Sequence, residues 1–197
     1  MPVNTVQDLF VEELRDIYHA EKQLLKALPR MSKAAANGEL KQAIDSHLEE
    51  TRGQVERLEQ VFEMLDLGKR SKRCEAMEGL VEEARTMMEE VKAPEVRDVG
   101  LIVGGQKIEH YEIAGYGSLV ALANQLGHAE VAGLLQETLE EEKAADQKLN
   151  DIALSAVNPQ AGSGAEMDED MENADEEASA AKSKSSRSSG SRRSKAA

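Results

Sequence analysis

Residues 8–28 read DLFVEELRDIYHAEKQLLKAL. Stepped alternately by four and three, they give Phe10, Leu14, Ile17, Glu21, Leu24 and Leu28. That spacing is one face of an α-helix. All members but Glu21 are apolar, so the face belongs in a core. Helices bury such a stripe against other helices, which sets the fold class as all-α. The carboxylate in the middle of the stripe is the anomaly.

The helix starts at Thr5, where Thr5 and Asp8 have the spacing of a capping pair, and stops at Asn37-Gly38. Its expected span is 5–35. Pro29 lacks an N–H, so it should bend or interrupt the helix near its C-terminal end. A second helix is expected over 39–66, closed by Gly68. A basic loop, Lys69 to Arg73, leads to a shorter helix over 75–92. Pro94 suits the first turn of a helix reaching Gln125, Gly127 breaks the chain, and the last helix covers 129–156. Four long helices make a four-helix bundle. The short helix sits in the crossover that a parallel pair requires, as in ferritin-like folds.

Composition agrees. Aromatics are only 3% and Trp is absent, while Ala, Leu, Glu and Lys abound. That mix favours helix over a β-sandwich or barrel. The net charge of −14 disfavours gripping DNA or an anionic membrane with the body of the protein. The single cysteine, Cys74, has no partner for an internal disulfide, and its neighbours Lys72 and Arg73 would favour a thiolate. No signal peptide or membrane-spanning run is read, so a cytoplasmic protein is expected. The composition breaks at Asn158-Pro159. Residues 1–157 read as the bundle, and 158–197, first acidic and then Ser, Lys and Arg, read as a disordered tail. Nucleic acid is expected at most through that basic end.

The anomaly at Glu21 recurs. The helix after Pro94 carries Leu101, Gly105, Ile108, Glu112, Gly115 and Leu119 in one stripe. The two helices align through Ile-x-His-x-Glu, Ile17 to Glu21 over Ile108 to Glu112, an offset of 91 residues. At the same offset His47 to Thr51 lies over Thr138 to Glu142. The chain is thus a repeat of helix hairpins. In the second helix the stripe turns polar at His47, Thr51 and Gln54, with Glu50 at its edge. In the last it holds Thr138 and Glu142, with Glu141 at the edge matching Glu50. All four long helices are polar at mid-length on the core side.

Buried carboxylates at one level repel one another and are costly unless a cation intervenes. Two divalent ions would balance four of them. Glu21, Glu50, Glu112 and Glu141 are the expected ligands, with His47, Gln54 and Glu142 beside them. Each Glu alone reads as a solvated helix-face residue in so acidic a chain; the coincidence of four helices carries the metal reading. His19 and His110 project away from their neighbouring Glu, and His128 reads as an exposed helix start. Tyr116, one turn after Glu112, reads either as a hydrogen-bond partner of a ligand or as an ordinary interface aromatic. Gly104-Gly105 reads as close helix packing rather than a phosphate loop.

The segments DLFVEELRDIYHAEKQLLKALPRM, HLEETRGQVERLEQVF, KRCEAMEGL, QKIEHYEIAGYGSL and LEEEKAADQKL resemble the bacterial YciE/YciF family of stress-associated proteins over about residues 4–156. The resemblance implies a ferritin-like bundle, a homodimer, and a dinuclear centre of iron or manganese with ferroxidase- or peroxide-related chemistry. By position it supports Glu21, Glu50, Glu112 and Glu141. The chain departs from the usual di-iron pattern of Glu-x-x-His on the second and fourth helices: Gly53 and Ala144 stand where the histidines would be. That departure points to an oxygen-rich site. The competing expectation is a non-catalytic bundle whose polar core serves register alone.

Overall fold

Thr5 starts the first helix as its sequence predicts. Its hydroxyl accepts from the Asp8 N–H at 3.0 Å, and the Asp8 carboxylate accepts from the Thr5 N–H at 3.0 Å. In the computed structural model, which describes residues 3–163, this helix, α1, runs Val6–Ala34. α2 spans Gly38–Met64, α3 Glu75–Glu90, α4 Pro94–Gln125 and α5 Ala129–Ile152. No strand occurs among the described residues.

Pro29 lies inside α1 and does not interrupt it. It forfeits one backbone bond near the helix end, while Leu28, Met31 and Ser32 around it stay buried in the core. α2 ends earlier than its sequence suggests. The left-handed residue that turns the chain is Asp66, at φ 51°, rather than Gly68. Asp tolerates that region better than most side chains do. Gly127 takes φ 80° between α4 and α5, as expected.

Cross-helix contacts give the topology. Tyr18 bonds Glu59 between α1 and α2, and Arg57 bonds Thr138 between α2 and α5. Asp16 accepts from Tyr111 and the Ala34 carbonyl from Arg97, between α1 and α4. Each of these pairs runs antiparallel. Around the bundle the order is α1, α2, α5, α4. α1 and α5 therefore point one way, α2 and α4 the other. This up-down-down-up path with one long crossover is the connectivity of ferritin-like folds. The crossover helix α3 packs on α4 and α1.

The core is Leu, Ile, Phe and Met from every helix, including Phe10, Leu24, Leu58, Phe62, Met77, Leu101 and Leu135, each nearly inaccessible. Gly104 admits α3, since a Cβ there would lie 3.4 Å from the Ala84 Cβ. Asp98 on α4 is buried and caps the turn between α1 and α2, accepting from the N–H groups of Ala36 at 2.9 Å and Asn37 at 2.6 Å.

After Ile152 the last helix widens into a π-helical turn, Ala153–Val157, which keeps Ala153 and Val157 on the core side. Residues 159–163 belong to a separate unit and are helical, although composition assigns them to the tail. The rest of the expected tail, 164–197, lies outside the described residues. No helix among the described residues is long and apolar enough to cross a membrane.

Candidate metal centre

Halfway along the bundle the apolar layers give way to acids. Glu21 comes from α1, His47 from α2, Glu109 and Glu112 from α4, and Glu142 from α5. Glu21, Glu112 and Glu142 are wholly inaccessible, and His47 and Glu109 nearly so. His47, Glu109, Glu112 and Glu142 each offer a donor atom within 4.8 Å of the others'. His47 Nε2 lies 3.4 Å from Glu109 Oε1 and 3.9 Å from Glu142 Oε2, while its Nδ1 lies 3.5 Å from Glu50 Oε2.

Among the described residues, both oxygens of Glu112, both of Glu142, Oε2 of Glu21, Oε2 of Glu109 and both ring nitrogens of His47 are buried without a hydrogen-bond partner. Native cores rarely leave such atoms unpaired. Only Glu21 has a strong partner, the Tyr116 hydroxyl, which donates to its Oε1 at 2.5 Å. Tyr116 is itself fully buried.

Burial and mutual repulsion set the charge states. Desolvation, then the charge of Glu142, pushes Glu21 up to about 8, against the opposing Tyr116 bond. Desolvation also lifts Glu109 to about 8. Glu112 is held well above the usual carboxylate range by desolvation and the charges of Glu21 and Glu142, and Glu142 chiefly by desolvation. For His47, desolvation favours the neutral ring, but Glu50, Glu142 and Glu21 together outweigh it and raise its pKa. The cluster therefore prefers to hold protons, or another cation in their place.

The expected ligands divide. Glu112, His47 and Glu142 lie among the converging donors, and Glu21 is buried close enough to raise the pKa of Glu112. Glu141 does not. Arg57 clamps it with two bonds of 2.8 and 2.9 Å, and Gln54 Nε2 donates to it at 3.1 Å. The Arg57 guanidinium also donates to Thr138 at 2.6 Å. Glu50 is half exposed and, among the described residues, lies against His47. Gln54 is buried and supports Glu141.

Glu109 was missed. It shares a face with Gly105, Glu112 and Tyr116 at spacings of four, three and four, so a second stripe beside the first contained it. That stripe is masked by Ile108, whose apolar neighbours dominate the pattern. Of the two readings of Tyr116, the structure shows a hydrogen bond to the buried carboxylate Glu21 on α1.

The other histidines serve structure. His19 Nδ1 accepts from the Cys74 N–H at 3.1 Å and pairs with Gln23 at 2.8 Å. His110 is exposed, with Nδ1 against the Gln106 carbonyl. His128 is half-buried rather than exposed, because its ring stacks on Phe10 at 6.2 Å. Cys74 is also unlike its sequence expectation. It is buried, and burial pushes its thiol up, so Lys72 and Arg73 do not favour a thiolate. Those cations pair instead with Glu12 and Glu78.

A four-helix bundle with one crossover and an acidic mid-level defines the class of protein. Residues 5–162 match the family described as a domain of unknown function, DUF892, and the chain belongs to it. Protein YciF of Escherichia coli (strain K12) is 51% identical over 162 residues, 82% of this chain and 98% of that protein. The crystal structure of the E. coli stress protein YciF matches with a TM-score of 0.76 and 52% identity, covering 79% of this chain and 99% of that one. YcfI from Rhodopseudomonas palustris, described provisionally as a structural protein, matches with a TM-score of 0.74 and 46% identity over 75% of this chain and 94% of its own.

Proposed function

We propose that this protein binds about two divalent metal ions, iron or manganese, at the mid-level of the bundle, held by Glu21, His47, Glu109, Glu112 and Glu142. One observation carries the reading: Glu112 and Glu142 bury both carboxylate oxygens with no partner among the described residues. Hard oxygen donors with a single imidazole suit these metals, and four carboxylates balance two divalent charges. When bound, such ions supply redox and Lewis-acid chemistry toward oxygen or peroxide. The role comes to this chain as stress-associated through its E. coli relative.

The chain's own residues do the rest. Tyr116 fixes the orientation of Glu21 and holds a proton on its hydroxyl. Arg57 draws Glu141 out of the cluster and neutralises it, so that five donors converge rather than six. Apolar side chains such as Ile17, Leu24, Ile108 and Leu119, on the same helix stripes as the acids, are buried to either side of them.

The test is metal content of the full chain purified without chelator or affinity nickel, compared with Glu112→Gln plus Glu142→Gln. About two ions per chain in the wild type and none in the double variant is the expected result. A metal-free wild type whose melting temperature ignores iron and manganese would leave the polar core a structural device. Sedimentation of the same sample tests the homodimer.

A further inference from the structure

α2 and α5 part company beside the cluster. The gap opens a cleft of about 790 Å³ that runs from the surface to His47 and Glu109. Small side chains on the facing helices, Ala43 on one and Ala144 and Ala145 on the other, leave the space. Its floor is apolar, with Leu28, Ile44, Leu101 and Leu149 from all four bundle helices. Gly105 also lines it, and a Cβ there would press on Leu149 Cδ1 at 2.9 Å. The volume lies within the roughly 300–1,000 Å³ usual for small-molecule sites.

The two ends of the cleft differ from its floor. At the inner end both ring nitrogens of His47 and Oε2 of Glu109 are buried without a hydrogen bond, the imidazole lying 3.4 Å from Glu109 Oε1 and 3.5 Å from Glu50 Oε2. Side-chain exposure there is 8% and 5%. At the mouth stand Glu39, Glu50 and Glu140 against Lys148. An acidic mouth repels anions. The inner end calls for a group that both donates and accepts a hydrogen bond. The apolar middle calls for hydrocarbon.

We infer that this cleft binds an uncharged, hydroxyl-bearing apolar molecule, with its hydroxyl at His47 and Glu109 and its hydrocarbon over Leu28, Leu101 and Leu149. That the molecule is a substrate rests on the metal reading above; that the cleft binds it does not.

Titration calorimetry of the metal-free full chain with straight 1-alkanols, butanol to decanol, tests the assignment. Affinity should rise about fourfold per added methylene until the cleft is full. Octanoate should bind at least about tenfold more weakly than octanol, given the acidic mouth. Ala145→Leu and, from the opposite wall, Ala43→Leu should each weaken octanol about tenfold or more, with cooperative melting and metal content retained. Affinity independent of chain length, equal binding of octanoate, or octanol binding unchanged in both folded variants overturns the inference. So does an absence of alkanol binding coupled to loss of a dimer in Ala145→Leu, which would make a second copy the occupant. If the wild type binds no metal yet binds octanol with this chain-length dependence, the cleft stands and the metal reading falls.

Discussion

The two helix pairs of the repeat have diverged unequally. In α1 and α4 the related residues Glu21 and Glu112 both remain in the core and both face the acidic cluster. In α2 and α5 the related residues Glu50 and Glu141 both lie outside it, one half exposed and one bound to Arg57. The inward donors there are His47 and Glu142, whose counterparts 91 residues away are Thr138 and Thr51. Glu109 faces the cluster, whereas its counterpart Tyr18 bonds Glu59. A symmetric repeat thus builds a lopsided cluster, with two of its side chains from α4 and one from each other bundle helix. The lesson is that position on the core stripe, more than kinship between repeats, decides which side chain is buried.

The sharpest way to break this comparison is to exchange neighbours. Glu142→Gln should abolish bound metal, while Glu141→Gln should leave it within about twofold, read by elemental analysis of each purified protein; removing a donor commonly costs affinity by orders of magnitude. Equal loss in both would mean that the outer carboxylates of α2 and α5 are ligands after all.

A second experiment uses protons. In the metal-free protein Glu21 and Glu109 titrate near 8, above the ordinary range of an unfolded carboxyl. The folded state therefore binds more protons than the unfolded one between about pH 4.5 and 8. Stability falls as pH rises through that window, the reverse of the usual paired carboxylate. Chemical denaturation of the metal-free protein should show higher stability at pH 5.5 than at pH 8. Glu112→Gln should reduce the difference and stabilise the metal-free form at pH 8 by roughly 1–3 kcal/mol, since a neutral amide has no proton to take up on folding. An unchanged pH profile in that variant would show that the carboxylates are not coupled as their packing requires.

The smallest effect should come from the outer side of the comparison. Arg57→Ala strips Glu141 and Thr138 of their partner. The guanidinium is partly exposed, so the loss should be about 1–2 kcal/mol in a denaturant melt. Metal content should not change. If it falls with stability, Arg57 is positioning the cluster as well as occupying Glu141.

Much of this was legible before folding. Helix positions follow from periodicity, capping and Gly-Pro punctuation, and the mid-helix acids stood out because they interrupt apolar stripes. Periodicity also held Glu142 on the core stripe, while the repeat alignment pointed to Glu141. Nothing in the sequence told which rule would win, because Arg57, the residue that takes Glu141, lies 84 positions away. Glu109 escaped for a related reason: it sits on a second stripe that becomes inward only when α4 is rotated to meet both α1 and α5.

By itself the sequence determined an all-helical chain, its hairpin repeat, the mid-level of acids and the bundle's crossover. Those follow from local spacing and burial of apolar faces, which neighbouring residues dictate. Tertiary structure alone decided which acids converge, which are neutralised by Arg57, and that α2 and α5 leave a cleft. These depend on the rotation and separation of helices distant in sequence, where a shift of one residue turns a buried carboxylate into a surface ion pair.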